Sequence, residues 1–200
     1  PGFDLSFDDL RVDGTASDKL KKQAGEFTEF NFNYGLEMDK RDRSFMPTKG
    51  SILGFEQTLP FYADKSYLSN TLTFSKYATI SENVIGASKL YLSSINGLND
   101  DDVRLSKRKS LSSRRLRGFE KNKVGPVDGG DHVGGNYTAA LNLEANLPNL
   151  LPENSKTDVT AFIDFGNVWG VDYDSTLDDS NKIRSSTGLA ASWLSPLGPM

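Results

Sequence analysis

The sequence predicts an all-β, antiparallel fold, and three observations carry that prediction. Seven segments alternate apolar and polar residues, turn chemistry separates them, and no stretch has the apolar spacing of a helix long enough to cover a sheet. Successive side chains of an extended chain point to opposite faces. A run with period two therefore builds a sheet with one apolar and one polar face.

Residues 27–39, FTEFNFNYGLEMD, set Phe30, Phe32, Tyr34, Leu36 and Met38 on one face against Glu29, Asn31, Asn33, Glu37 and Asp39. Charge, Pro47 and Gly50 break the pattern across 40–50. A second strand, 51–59, ends at Pro60, which has no N–H to give to a ladder. The third, 67–78, places Leu68, Leu72 and Phe74 opposite Ser69, Thr71, Thr73 and Ser75, and the fourth, 84–92, is interrupted by Lys89. Residues 93–132 form the longest irregular stretch. It carries the basic residues Arg104, Lys107, Arg108, Lys109, Arg114, Arg115 and Arg117 and then the glycine-rich run GPVDGGDHVGG. A loop of that length is functional or disordered. Clean alternation returns at 136–147, where Tyr137, Ala139, Leu141, Leu143, Ala145 and Leu147 oppose Asn136, Thr138, Ala140, Asn142, Glu144 and Asn146. It continues at 158–166, where Val159, Ala161, Ile163 and Phe165 oppose Asp158, Thr160 and Asp164. A last strand at 183–194 puts Ile183, Leu189, Ala191 and Trp193 on one face, and PNLLPENSK at 148–156 and the acidic segment 170–182 are connections. The one helical piece, 17–24, is closed by Gly25.

Composition narrows the class. The chain has 200 residues, of which 36% are hydrophobic, and a net charge of −4. Its mean hydropathy is −0.47. The length suits about one domain. No apolar run approaches the roughly 20 residues that a spanning helix needs, which excludes a helical membrane protein. It does not exclude a membrane β-barrel, because only alternate residues of such a wall face lipid. The acidic balance argues against a surface devoted to nucleic acid. The absence of cysteine removes disulfides, thiolate metal sites and cysteine nucleophiles. The alternation itself fits either a soluble sandwich with its apolar faces inward or a membrane barrel with them outward. Moderate connections at 40–50 and 148–156, against long ones at 93–132 and 170–182 on the other end of the meander, add weight to the barrel. With Pro1 as first residue and the run SPLGP before Met200, the chain reads as a piece of a longer one.

Catalytic signatures are missing. There is no His-Glu-x-x-His, phosphate-binding glycine loop or Gly-x-Ser-x-Gly, and Gly50-Ser51-Ile52-Leu53-Gly54 has the wrong spacing for a nucleophile elbow. The expectation is a protein that is not an enzyme and has no cofactor or metal. His132 with Asp128 and Asp131 reads as a surface loop, and the acidic set Asp172, Asp174, Asp178 and Asp179 as a solvated one.

Five segments, in order, resemble the barrel of the bacterial surface antigen family of outer-membrane barrel insertases and translocation pores. They are FNYGLEMDKRDRSFMPTKGS (32–51), LRGFEKNKVGP (116–126), VGGNYTAALNLEANLP (133–148), FIDFGNVWG (162–170) and IRSSTGLAASWLSPLGP (183–199). The resemblance covers most of the chain from Phe27 onward. It implies an up-and-down transmembrane β-barrel, here incomplete with about seven strands, corresponding to family strands eight to fourteen, with residues 93–132 as the long sixth extracellular loop. The family's periplasmic POTRA domains and its last strands are then outside this sequence. It also implies a bacterial outer-membrane protein that folds and inserts others. Its partners would be unfolded outer-membrane clients, assembly-complex lipoproteins, and outer-membrane lipid and lipopolysaccharide, without nucleic acid. A polypeptide-translocating relative and a soluble sandwich binding module are the alternatives. Within the loop, Arg117, Gly118 and Phe119 match the family's Arg-Gly-Phe motif, whose arginine pairs with lumen-wall carboxylates; these map to Glu144 and Asp164. The alternation independently puts both carboxylates on the polar face, and a guanidinium fork suits two carboxylates.

Overall fold

The computed structural model describes residues 1–148, 150–152, 157–177, 179–195 and 198–199. Its long strands are β1 (Gly2–Leu10), β2 (Gly25–Asp39), β3 (Gly50–Ala63), β4 (Tyr67–Ser81), β5 (Val84–Gly97), β8 (Tyr137–Leu147), β9 (Thr157–Trp169) and β10 (Arg184–Ser195). A two-residue hairpin, β6 (Val127–Asp128) and β7 (Asp131–His132), lies in the long loop, and β11 (Gly198–Pro199) follows β10. Every pairing is antiparallel, in the order β1-β2-β3-β4-β5-β8-β9-β10-β11. The two outer strands are not paired with each other among the described residues, so the sheet is an open up-and-down meander, as expected of an incomplete barrel.

Three differences from the sequence reading have physical causes. First, β1 is an eighth long strand, whose Phe3, Leu5 and Phe7 alternate with Asp4, Ser6 and Asp8. Second, β3 runs through Pro60 to Ala63 rather than stopping before it; the register against β2 shifts between Phe30 and Asn31, so the missing N–H falls at an irregularity. Third, the helix is a single turn, α1 (Asp18–Lys21). Ser17 caps it by accepting from the Leu20 N–H, Lys22 closes it, and Gly25 instead opens β2. The acidic loop's Asp178, part of the turn at 148–156 and the side chain of Trp193 lie outside the described residues.

Burial decides between the two architectures that alternation left open. Phe7 and Leu189 on the apolar face keep 76% and 74% of their surface exposed, whereas Glu29 and Asp164 on the polar face keep 1% and 0%. A soluble sandwich has the opposite arrangement. The outward face is covered in apolar groups, with Phe3 stacked on Phe30 at 5.4 Å between ring centroids and Phe61 edge-on to Phe30 at 5.5 Å. Its solvent is the hydrocarbon of a bilayer, in which each inner strand has its backbone groups paired on both sides by its neighbours.

The buried clusters lie between sheet and loops. Leu111, Leu116 and Val124 of the long loop pack on Ala140 and Val168 of β8 and β9, with Tyr91 and Phe119 against them. Ala16, Leu20, Val133 and Val171 draw three loops together at the loop end of the sheet.

The inverted faces make a specific demand. Leu92→Lys, on the outward face of β5, is expected to cost about 2–4 kcal/mol of folding stability in lipid near the bilayer midplane. Ser75→Asp, on the inward face of β4 beside Lys89, should change it by less than about 0.5 kcal/mol. Denaturant titration in bilayer vesicles measures both.

Candidate functional site

The long loop enters the concave face of the sheet. Between Arg104 and Arg117 it runs past the polar ends of β2, β4, β8 and β9, and its basic residues are buried or half-buried there except for Arg114, which is exposed. Of the seven basic residues in the block, Arg104 and Arg108 are buried and Arg115 lies over the Tyr91 ring at 4.2 Å.

Arg117 sits directly after a tight turn in which the Leu116 N–H donates to the Ser112 carbonyl at 3.2 Å. Its Nε donates to Asp164 Oδ2 at 2.7 Å and its Nη2 to Asp164 Oδ1 at 2.6 Å, the two-toothed geometry of a guanidinium on a carboxylate. The backbone N–H of Arg117 adds a third bond to Oδ2 at 3.1 Å. Glu144 Oε1 is 3.0 Å from the same Nη2, and the guanidinium lies 3.7 Å over the Phe162 ring. The structure thus brings Arg117 against both carboxylates named from the sequence, with Asp164 taking the fork and Glu144 a single contact. Gly118 adopts φ +84°, where a side chain is strained, and this turns the chain so that Phe119 drops onto the Leu111–Leu116–Val124 foot.

Register explains why two strands can supply one site. Asn142 pairs with Asp164 and Glu144 with Phe162, so Asn142, Asp164, Glu144 and Phe162 occupy adjacent places on one face of β8 and β9. Asn142 donates to Asp164 Oδ1 at 2.7 Å and, through the same amide, to the Arg115 carbonyl at 2.9 Å. Lys89 Nζ contacts Glu144 Oε2 at 2.5 Å. Two carboxylates therefore meet two cations, and no net charge is left in the clasp. The sequence reading missed Asn142, Lys89 and Phe162. The signal for Lys89 was present as the one charge inside the fourth strand, whose alternation is noisier than that of the others, and Asn142 lay on the polar face already identified.

The other candidates resolve differently. Asp128 accepts from Ser17 Oγ at 2.7 Å and Tyr173 Oη at 3.0 Å, so it ties the β6–β7 hairpin to two neighbouring loops. Among the described residues, no three His, Cys, Asp or Glu side chains are grouped so that they could hold a metal ion. The acidic loop is more structured than a solvated one. Asp174 receives Lys19 at 2.5 Å and bonds to Thr176 that hold its pKa at about 2. Asp179 pairs with Arg184 at 2.5 Å and Lys182 at 2.9 Å. Asp172 takes the Val103 N–H at 2.7 Å, the Asn136 amide at 3.1 Å and the Arg108 guanidinium. Burial opposes the charge on Asp172, but these donors outweigh it and hold its pKa below the ordinary carboxylate value. At Lys109, whose Nζ donates to Ser69 Oγ at 2.7 Å, burial pushes the ammonium pKa down.

The Omp85 superfamily domain matches residues 2–200. The outer membrane protein assembly factor BamA of Neorickettsia risticii (strain Illinois) is 27% identical over 203 residues, covering 98% of this chain and 27% of its own length. A SAM50-like protein of Schizosaccharomyces pombe is 29% identical over 142 residues, covering 66% of this chain and 30% of its own. The sorting and assembly machinery component 50 homolog of Bos taurus is 25% identical over 138 residues, with 66% and 29% covered. The crystal structure of BamA from Haemophilus ducreyi lacking POTRA domains 1-3 superposes with a TM-score of 0.78 at 23% identity, over 87% of this chain and 38% of that one, which shows a common fold. The chain therefore spans under a third of the length of each of these relatives' sequences.

Two outcomes test the clasps. Arg117→Ala leaves Asp164 buried without its cation and should destabilise the loop's seat by roughly 3 kcal/mol, at the low end for a broken buried pair because Arg117 is partly exposed; accelerated proteolysis at 112–123 measures it. Because the folded-state pKa of Asp172 is depressed, its stabilisation is complete above the ordinary value of about 3.9 and is lost as pH falls through the lower folded value. Asp172→Asn should lower the thermal midpoint at pH 7 and flatten its decline toward pH 3.

Proposed function

This chain belongs to the Omp85 superfamily, and we propose that it forms part of the membrane wall and the inward loop of an outer-membrane protein assembly factor, which folds and inserts other β-barrel proteins. The observation that carries the reading is the clasp. A loop arginine is forked onto a buried carboxylate inside a sheet whose outer face is apolar, within a chain that resembles an assembly factor over 98% of its length. The bacterial relative is matched along nearly the whole chain and the eukaryotic ones along two thirds, which supports a bacterial outer membrane.

The chain's residues then have distinct tasks. The outward residues of β2 to β5 and β8 to β10 anchor the wall in lipid, with lipopolysaccharide and phospholipid as neighbours. Arg117, Gly118 and Phe119 seat the loop on Glu144 and Asp164, which stiffens β8 and β9. In this reading the chain is the second half of a 16-stranded barrel, including family strands eight to fourteen, with its periplasmic domains and closing strands supplied by the rest of the protein. Unfolded barrel precursors are the clients, and assembly-complex lipoproteins are the partners. Client insertion is driven by burial of the client's own strands in lipid and by its own backbone pairing. The wall supplies a template and a locally ordered boundary.

The test uses the full-length protein. Arg117→Ala and Asp164→Lys are expected to reduce the levels of folded, heat-modifiable outer-membrane proteins several-fold in cells that depend on the variant, while the variant itself remains in the membrane. Normal client levels with a demonstrably released loop would overturn the assignment.

A further inference from the structure

The loop is held at a second point that the Arg-Gly-Phe motif does not explain. Glu29 of β2 is 1% exposed, although it faces away from lipid on a strand five places from β9 in the sheet. With about 4.8 Å between neighbouring strands, that is about 24 Å along the sheet from Asp164. Its carboxylate accepts from Ser6 Oγ of β1 at 2.9 Å and Tyr67 Oη of β4 at 3.3 Å, and it receives both Arg104 Nη2 and Lys107 Nζ from the loop. The Arg104 guanidinium lies 4.6 Å over the Phe27 ring and reaches Asp8 of β1 at 3.5 Å, while Ser106 Oγ donates to the same Asp8 at 2.5 Å. Lys107 belongs to a single 3-10 turn, Leu105–Lys107, which brings Arg104 and Lys107 to one side. As at Arg117, two cations meet two carboxylates.

We propose that Glu29 is a second receptor for the loop, and that its grip on Arg104 and Lys107 positions the loop's leading arm independently of Arg117. The loop is then a strap seated at both sides of the concave face. Its leading arm ties β1 and β2 to the same segment that Arg117 ties to β8 and β9, and so bounds how far the open sheet can spread. Glu29 is a positioning residue in this account. A buried carboxylate without its cations is costly, so the wall selects a loop arm that carries two positive charges thirteen to ten residues before Arg117. The inference rests on the loop's geometry and not on the assembly activity, so it can fail while the assembly reading stands.

Limited trypsin digestion of the full-length protein in bilayer vesicles tests it, because Arg104, Lys107, Arg108 and Lys109 are cleavage sites that the seated arm protects. Glu29→Gln keeps the size and the Ser6 contact but removes the charge. It is expected to raise cleavage within 104–109 about tenfold while cleavage after Arg114 and Arg115 changes less than about twofold. Arg104→Gln with Lys107→Gln should expose Arg108 and Lys109 to a similar extent without touching the wall, which keeps the test open if the Glu29 variant fails to fold. Combining all three substitutions should add less than twofold, because the pair is already broken. Unchanged cleavage in the folded Glu29→Gln protein, or wall and loop effects that multiply, would overturn the second receptor.

Discussion

A sheet with one face in hydrocarbon sends its polar side chains to the other face, and the rest of this structure follows from that constraint. Along β2, β8 and β9 the residues that cannot meet lipid are Glu29, Asn31, Asn142, Glu144 and Asp164, and they converge on a concave surface where burial makes each unpaired charge expensive. The long loop meets that demand. It supplies Arg104, Lys107 and Arg117 at the places where wall carboxylates point inward, and Arg108 to Asp172 of the acidic loop beside it, so wall and loops neutralise each other.

The same constraint explains which parts were legible in the sequence. Strands β2, β4, β8 and β9 announced themselves because lipid on one side enforces clean alternation. β1 carried the same signal in Phe3, Leu5 and Phe7, and reading it demanded only that a nine-residue run at the start of the chain count as a strand. Pro60 misled because its local meaning, a missing donor, is overridden by an irregular register that only the neighbouring strand reveals. Arg117 was legible through its motif. Arg104 and Arg108 were not, since a basic block looks the same whether it is solvated or buried, and their partners Glu29 and Asp172 are 75 and 64 residues away in sequence. Long-range charge pairing leaves no periodic trace, and a lone Lys89 inside an apolar strand was the nearest thing to one.

Charge pairing does not by itself make the loop's seat strong. Desolvating two ions offsets much of their attraction, so a buried pair adds little net stability compared with a well-packed apolar contact. What it adds is specificity of position. An apolar foot such as Leu111, Leu116 and Val124 can slide along a wall with small loss, whereas a guanidinium forked on Asp164 tolerates little displacement before both bonds weaken. The foot holds the loop in the concave face, and the arginines fix its register.

That division of labour bears on how the loop could be released. Apolar contacts broken inside a wet lumen expose surface with no compensation, but a guanidinium and a carboxylate that separate there each regain water. The clasps are therefore the part of the seat whose loss is partly repaid by the surroundings. Opening either one uncovers negative charge on the wall, Glu29 and Asp8 at one point and Glu144 and Asp164 with only Lys89 between them at the other, and that charge draws the loop's cations back. A strap of this kind can hold an open sheet in a defined curvature and still let go at one side. A continuous apolar plug of the same area would have to detach as a whole.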